Sequence, residues 1–416
     1  MAELTTKAMS SSISSEGHVG VRILIVDDEL HLLKKLRSML APMQSQWNMT
    51  FCKNGHEALE FLAKQPCDII ITDLAMPGMD GIQLLQEIVK RSPQITRLLM
   101  VEQKDRERIF RSICLTHQCI AKPCDATSII TAVKRTLSLR NQFSTASLHR
   151  IVARVGVLPT MPAMYARLVD LLNRPDASLN QIGKLIEQDP GMSAKVLQLV
   201  NSSFFGVRNH VSNTTQAVSM LGLDIIKSLL AWFHLAAKFQ HVEEAGVSLL
   251  QVQKHSLLTA RLAQAIATRI GLDQFDADEA FMAGLLHGVG ALIIAQAFPA
   301  QYTSILKGRY DRRLSHAGEE QVVFETTHAD VGAYLLSLWG FRTPVVEAVL
   351  YHHRPRQHSD QTVHIVPVVY LANIFAHYST GDMRLEIDTE YLTRIGLKLN
   401  FSELHDLCEQ TIHSMG

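Results

Sequence analysis

The sequence lacks a charge imbalance, a C-x-x-C pair, a long uncharged apolar run and a fixed-period repeat. In 416 residues, 40 Lys and Arg balance 40 Asp and Glu, leaving no formal net charge. Such a chain has no electrostatic footprint for wrapping nucleic acid or for resting on an anionic membrane. There is no helix-turn-helix pattern and no basic stripe interleaved with aromatics. Arg106, Arg108 and Arg111 form a local basic cluster that reads as a solvated helix face. Neither nucleic acid nor membrane is therefore expected as a partner. The six cysteines, Cys52, Cys67, Cys114, Cys119, Cys124 and Cys408, are too few and too scattered for a disulfide scaffold, and read as small buried hydrophobes in a reducing compartment. The richest apolar run, Phe281 to Ala295, is shorter than the ~20 residues of a spanning helix and carries His287 and three glycines. No N-terminal segment resembles a signal peptide. A cytoplasmic location is expected.

What the chain does have is ample core material, with 47% hydrophobic residues. Its length suits two or three domains. Residues 1–20 are rich in Ser, Thr and Ala without period, and read as a flexible tail. From Arg22 short apolar runs alternate with helix-period segments. Ile23–Val26 ends in Asp27-Asp28-Glu29, and Leu32, Leu33, Leu36 and Leu40 then share one helical face. Ile69–Thr72 ends at Asp73, and Gly81–Arg91 places Ile82, Leu85 and Val89 at helical spacing. Leu98–Val101 and Cys119–Ala121 are further runs, the last before Lys122-Pro123. Strands apolar on both faces, alternating with amphipathic helices, predict an α/β domain with a doubly wound parallel sheet of five βα units. In such sheets chemistry gathers beyond the strand carboxyl ends, where Asp27, Asp28, Asp73 and Lys122 all fall.

Carboxylates forced together repel unless a cation neutralises them, so three of them predict a hard-metal site. Asp27, Asp28 and Asp73 offer oxygen ligands to Mg²⁺, Lys122 supplies a point charge for a phosphoryl group, and an Asp carboxylate is a competent nucleophile for an acyl phosphate. Read singly, Asp27-Asp28 is a helix N-cap and Asp73 a turn residue. The joint arrangement favours the site. Ile23–Glu29, Asp73-Leu74-Ala75-Met76-Pro77-Gly78-Met79-Asp80-Gly81 and Lys122-Pro123, in that order, resemble a response-regulator receiver domain over residues 21–140. The resemblance implies that Asp73 is the phosphoacceptor and that Asp27, Asp28, Asp73 and the Ala75 carbonyl serve Mg²⁺, with Asp27 acting through water. Lys122 would contact the phosphoryl group, and a sensor histidine kinase would be a partner. Two positions depart from the family. Val101 stands where a Ser or Thr hydroxyl usually ends the fourth strand, and Cys119 where an aromatic switch is usual.

Beyond a linker at 141–150 the pattern is almost wholly helical, with breaks at Pro175, Pro190, Gly206, Gly222, Gly271 and Pro299. An all-α domain over 151–345 and a helical extension over 346–416 are predicted. Asp189-Pro190 is a helix-start signal, and Gly222 a C-capping glycine. Of the 19 histidines, His255, His287, His328, His352 and His353 could assemble on facing helices. A lone histidine on an apolar helix is more often a core or surface residue.

Gly284–Gly290 is close to the HD metal signature, but Gly288 replaces the Asp after His287, and Asn373 stands where HD hydrolases supply another Asp. Neutral Gly and Asn cannot bridge ions, so hydrolysis is not expected. Leu158–Pro162, Ile186–Met192, Leu199–Gly206 and Ala217–Gly222, followed by Gly284–Gly290, resemble the HDOD domain, a non-hydrolytic relative of HD phosphohydrolases. The implied protein is a two-component response regulator that relays phosphorylation through a non-enzymatic helical module to a downstream signalling protein, as a homodimer. Mg²⁺ is expected in the receiver and no cofactor in the helical domain. The rivals are a metal-dependent phosphohydrolase of nucleotides or cyclic dinucleotides, and a dimerisation platform that never uses phosphate.

Overall fold

The structure, a computed structural model, describes residues 20–102, 115–142, 146–153, 162–172, 174, 176–202, 210–223, 226, 246–307, 315–359, 363–379, 386–397 and 401–415. The basic cluster Arg106, Arg108 and Arg111, the Leu158–Met161 and Phe204–Gly206 motif residues, and most of the helix expected at 225–239 lie outside them.

The N-terminal part is a five-stranded parallel sheet. Its strands are β1 (Val21–Val26), β2 (Trp47–Cys52), β3 (Ile69–Asp73), β4 (Thr96–Val101) and β5 (Gln118–Ala121), in the order β2-β1-β3-β4-β5. Register is set by pairs such as Ile25 with Phe51 and Ile71, and Met100 with Ile120. β1, β3 and β4 carry Leu24, Ile70 and Leu99 toward one core, and Ile25, Ile71 and Met100 toward the other. Both faces are covered, as a β-branched parallel sheet requires. Helices α1 (Leu30–Leu40), α2 (Gly55–Lys64), α3 (Gly81–Arg91) and α4 (Ala126–Gln142) accompany it. β2 begins at Trp47, a strand that no apolar run had marked, because only Trp47 and Cys52 of it are fully buried.

The order reverses between β1 and β3, so the strand ends bearing Asp27 and Asp73 flank the crevice where ligands collect in open α/β sheets. α3 starts with a capping box between Asp80 and Gln83. At Gly81 a Cβ would lie 2.1 Å from the Asp73 carbonyl oxygen, so only glycine lets this helix start against the end of β3.

The rest of the described chain is helical. The stretch expected as a linker is itself partly helix, Ala146–Ala153, whose Ser147 hydroxyl donates to Glu325 at 2.9 Å. Asp189 caps the helix Pro190–Val200 by accepting from the Met192 amide at 2.8 Å, and Gly222 ends the helix Thr214–Leu221 at φ 80°. The apolar run proves longer than it looked: Gln274–Ala297 is a 24-residue helical stretch apolar enough to cross a bilayer, with 78% of its most apolar window buried inside the protein. Helices Gln274–Leu286 and Val289–Ala297 within it pack against Leu249–Arg269, Ile365–Ser379 and His328–Leu338. Its hydrophobicity supplies the centre of the helical core.

The two parts meet along β5. The Gln118 side chain donates to the Leu338 carbonyl at 3.0 Å, and Gln198 donates to the His117 carbonyl at 3.1 Å. Lys195, 1% exposed, bonds Gln198 and sits 3.9 Å from the Trp339 ring centre. Leu99, Val101 and Cys119 belong to the same apolar cluster as the helical core.

Candidate functional site

Two clusters hold the residues singled out from the sequence. At the first, strand ends bring Asp27, Asp28 and Asp73 together, with one oxygen of each within 4.8 Å of the others. Lys122 reaches in from the end of β5, 2.7 Å from Asp27 Oδ2 and 2.6 Å from Asp73 Oδ1. Asp27 is 0% exposed. Its burial pushes the carboxyl pKa upward, opposed by the Lys122 ammonium and by the Glu29 amide, which donates to Oδ1 at 2.9 Å. Burial would lower the Lys122 pKa, but its bonds to the two carboxylates outweigh that and the net shift is upward. The lysine stays charged at neutral pH.

The Ala75 amide donates to Asp73 Oδ2 at 3.1 Å, which fixes that carboxylate beyond β3. The Lys122–Pro123 peptide is cis. Asp27, Asp28 and Asp73 form a hard oxygen donor set with one adjacent ammonium. That set fits Mg²⁺, which keeps waters and takes one or two carboxylates plus a phosphoryl oxygen. Val101 and Cys119, the departures noted above, are both buried in the core, and the Val101 carbonyl accepts from the Lys122 amide at 2.7 Å.

At the second cluster the structure gathers His255, His287, His328, His352, His353 and Asn373 around one interior region. His255 Nε2 lies 3.0 Å from Asn373 Oδ1, and ring centres run from His255 to His287 at 5.2 Å, His287 to His352 at 5.1 Å and His352 to His353 at 4.0 Å. His328 begins the helix His328–Leu338, while His352 and His353 follow the helix Thr343–Tyr351. Burial, helped by neighbouring imidazoles, holds His287, His352 and His353 well below the ordinary histidine range, and His255 at about 4. His328 is raised instead, because Glu320 outweighs its burial.

Glu320 was not anticipated. It is 0% exposed and accepts from both the backbone amide and Nδ1 of His328 at 2.7 Å, with Tyr302 also donating to it at 3.3 Å. Burial would raise its pKa, but His328 and His316 bring it well below the carboxylate range. Gly288 and Asn373 leave the cluster without the two Asp of HD hydrolases, and the carboxylate that the structure adds, Glu320, binds the outer nitrogen of a histidine. The available signal was the spacing of His316 and Glu320, one turn apart on a helix.

Gly290 lets the helix Val289–Ala297 cross His328. A Cβ there would stand 1.9 Å from the His328 carbonyl oxygen and 2.7 Å from the Gly332 amide nitrogen, both backbone atoms that cannot step aside. Gly290→Ala is therefore expected to cost about 1–3 kcal/mol in urea unfolding. Gly288→Ala, where the nearest atom is the Ser256 hydroxyl at 3.5 Å, is expected to unfold like wild type. Equal midpoints for the two variants would refute the close approach.

A family model described as response regulator receiver domain matches residues 23–134, and one described as HDOD domain matches residues 158–355. Sporulation initiation phosphotransferase F of Bacillus subtilis (strain 168) is 32% identical over 124 residues, 29% of this chain and 96% of that protein. An uncharacterized protein of Treponema pallidum (strain Nichols) is 24% identical over 254 residues, 61% of this chain and 48% of that protein. The chain spans about half or less of the length of the first curated relatives it matches. Among solved structures, the MmoQ response regulator from Methylococcus capsulatus str. Bath aligns over 61% of this chain and 98% of its own, with a TM-score of 0.49 and 23% identity.

Proposed function

The chain belongs to the response regulators, a receiver domain joined to an HDOD domain, and from that premise we propose that phosphorylation of Asp73 is relayed along β5 to the HDOD helices. One observation carries the reading: Lys122 bonds Asp27 and Asp73 at one end of β5, while Gln118 at the other end bonds the helical half. Asp73 attacks the phosphorus of a donor such as a kinase phosphohistidine. An O–P bond to Asp73 forms as the P–N bond to the imidazole breaks, and the donor histidine leaves with the bonding electron pair. Asp27, Asp28 and Asp73 would hold Mg²⁺, which would supply positive charge against the phosphoryl oxygens. Lys122 then has a new anionic partner in place of a bare carboxylate oxygen.

The strand is short. From Gln118 to Lys122 is four residue steps, ~13 Å of extended chain. A displacement of Lys122 therefore reaches the His117 carbonyl and the Gln118 side chain through one rigid element, without the hydroxyl and aromatic that Val101 and Cys119 replace. The junction holds a cavity of about 380 Å³ lined by His117, Gln118, Gln198, Asn201 and Trp339, space into which β5 can shift.

In this reading residues 21–140 receive the signal, 151–345 with the extension 346–416 present the output surface, and the imidazole cluster performs no hydrolysis. A cytoplasmic protein acting as a homodimer on a downstream signalling protein completes the proposal. The relay predicts that full-length protein treated with a small phosphodonor and Mg²⁺ exchanges amide hydrogens faster at 117–121 and 338–341. Unchanged exchange in both segments, in protein carrying a phosphoryl group by mass, would leave the two halves uncoupled.

A further inference from the structure

Within the imidazole cluster, three ring nitrogens converge more closely than any single proton can reconcile. His328 Nε2 lies 3.3 Å from His352 Nε2 and 3.0 Å from His353 Nε2. His352 Nδ1 lies 2.6 Å from the Val349 carbonyl, an oxygen that can only accept. Its proton is thus on Nδ1, and the neutral ring presents a lone pair at Nε2. His328 Nδ1 is likewise turned onto Glu320, at 2.7 Å. One N–H at His328 Nε2 could serve one of its two neighbours but not both. A cation at the centre would serve all three.

We infer that His328, His352 and His353 form a binding site for one transition-metal ion of the zinc class, held through their Nε2 atoms. Nitrogens about 2.0–2.1 Å from a tetrahedral zinc ion stand ~3.3 Å from one another. The two measured separations match that edge, and all three ligand atoms lie within 4.8 Å of each other. The outer nitrogens are fixed as metal-binding histidines need: Glu320 turns His328, and the Val349 carbonyl turns His352. Neutral imidazoles with no thiolate or inner carboxylate select Zn²⁺, Co²⁺ or Ni²⁺ over Mg²⁺.

The fourth position is accessible. A cavity of about 370 Å³ is lined by His352, His353, Arg354 and Asn373. Among the described residues, Arg354 Nε and Asn373 Nδ2 are buried donors with no hydrogen-bond partner. A metal-bound water or small oxyanion would supply acceptors to both. The ion would tie His328 at the start of one helix to the end of the helix Thr343–Tyr351, so its role is structural or sensory, and the inference stands independently of Asp73.

The test uses full-length protein stripped with chelator, incubated with excess Zn²⁺ or Co²⁺ and freed of unbound metal. Wild type and Asp73→Asn are expected to retain one ion per chain by elemental analysis, with a tetrahedral Co²⁺ visible spectrum. His353→Ala, folded by circular dichroism, is expected to lose at least tenfold in affinity, and Glu320→Gln, which removes a positioning carboxylate, ~10–100-fold. Retention of no ion by wild type, or of a full equivalent at unchanged affinity by folded His353→Ala, overturns the inference. Should His353→Ala not fold, the wild-type Co²⁺ spectrum decides: a tetrahedral band supports the site and its absence refutes it.

Discussion

Incubated with a small phosphodonor and Mg²⁺, the wild-type protein is expected to gain the mass of one phosphoryl group, and Asp73→Asn to gain none. The loss should be complete because an amide nitrogen is not a nucleophile at phosphorus, whereas the Asp73 carboxylate is. The variant is nearly isosteric, and its amide oxygen can still accept from the Ala75 amide, so the local backbone has no reason to move. Asp27 is a poor substitute, since it is fully buried and already bonded to Lys122 and the Glu29 amide. Intact-mass spectrometry separates the outcomes directly. Equal incorporation by wild type and variant would place the phosphoacceptor elsewhere. No incorporation by wild type would favour a platform that never uses phosphate.

The largest stability effect is expected at Arg97. This arginine is 2% exposed on β4, with its guanidinium donating to three backbone carbonyls: Leu115 at 2.6 Å, Pro93 at 2.8 Å and Ile95 at 3.1 Å. No carboxylate is among these partners, and burial pulls its pKa down to about 10, so it remains charged at pH 7. Its backbone amide also donates to His117 Nδ1 at 3.0 Å, which fixes the residue whose carbonyl receives Gln198. Arg97→Ala removes the donors from three acceptors and opens a cavity at the junction. With each unsatisfied buried group costing about 1–3 kcal/mol, and such costs not fully additive, the variant should lose about 3–5 kcal/mol in urea unfolding. Arg97→Met, which refills the space without donors, should recover only part of this. A change below ~1 kcal/mol for Arg97→Ala would mean that water takes over the carbonyls and that the junction is open to solvent.

Much of the N-terminal part was legible because its signals are local. A β-branched run that stops at an aspartate marks both a buried strand and the functional end of it, as at Val26-Asp27 and Thr72-Asp73. β2 escaped because an edge strand buried only at its two ends, Trp47 and Cys52, shows no apolar run. In the helical part, helix starts were readable at Asp189-Pro190 for the same local reason. Glu320 was not, since a glutamate on a helix is ordinarily solvated, and nothing local says that Tyr302, His316 and His328 will enclose it.

By itself the sequence determined the alternation of strands and helices, the change to an all-helical pattern, and the motifs that carry both family resemblances. These depend on neighbours a few residues apart, where hydrophobic period and capping chemistry act. Only the tertiary structure decided that Gln118 and Gln198 stitch the two halves together, that Arg97 is buried on backbone carbonyls, and that three imidazole nitrogens meet beside a buried glutamate. The contacts behind these facts include long reaches, as from Gln118 to Leu338 or from His328 to His352, and even the nearer ones depend on how the chain folds back. Their energetics are set by burial and close approach, which no local pattern encodes.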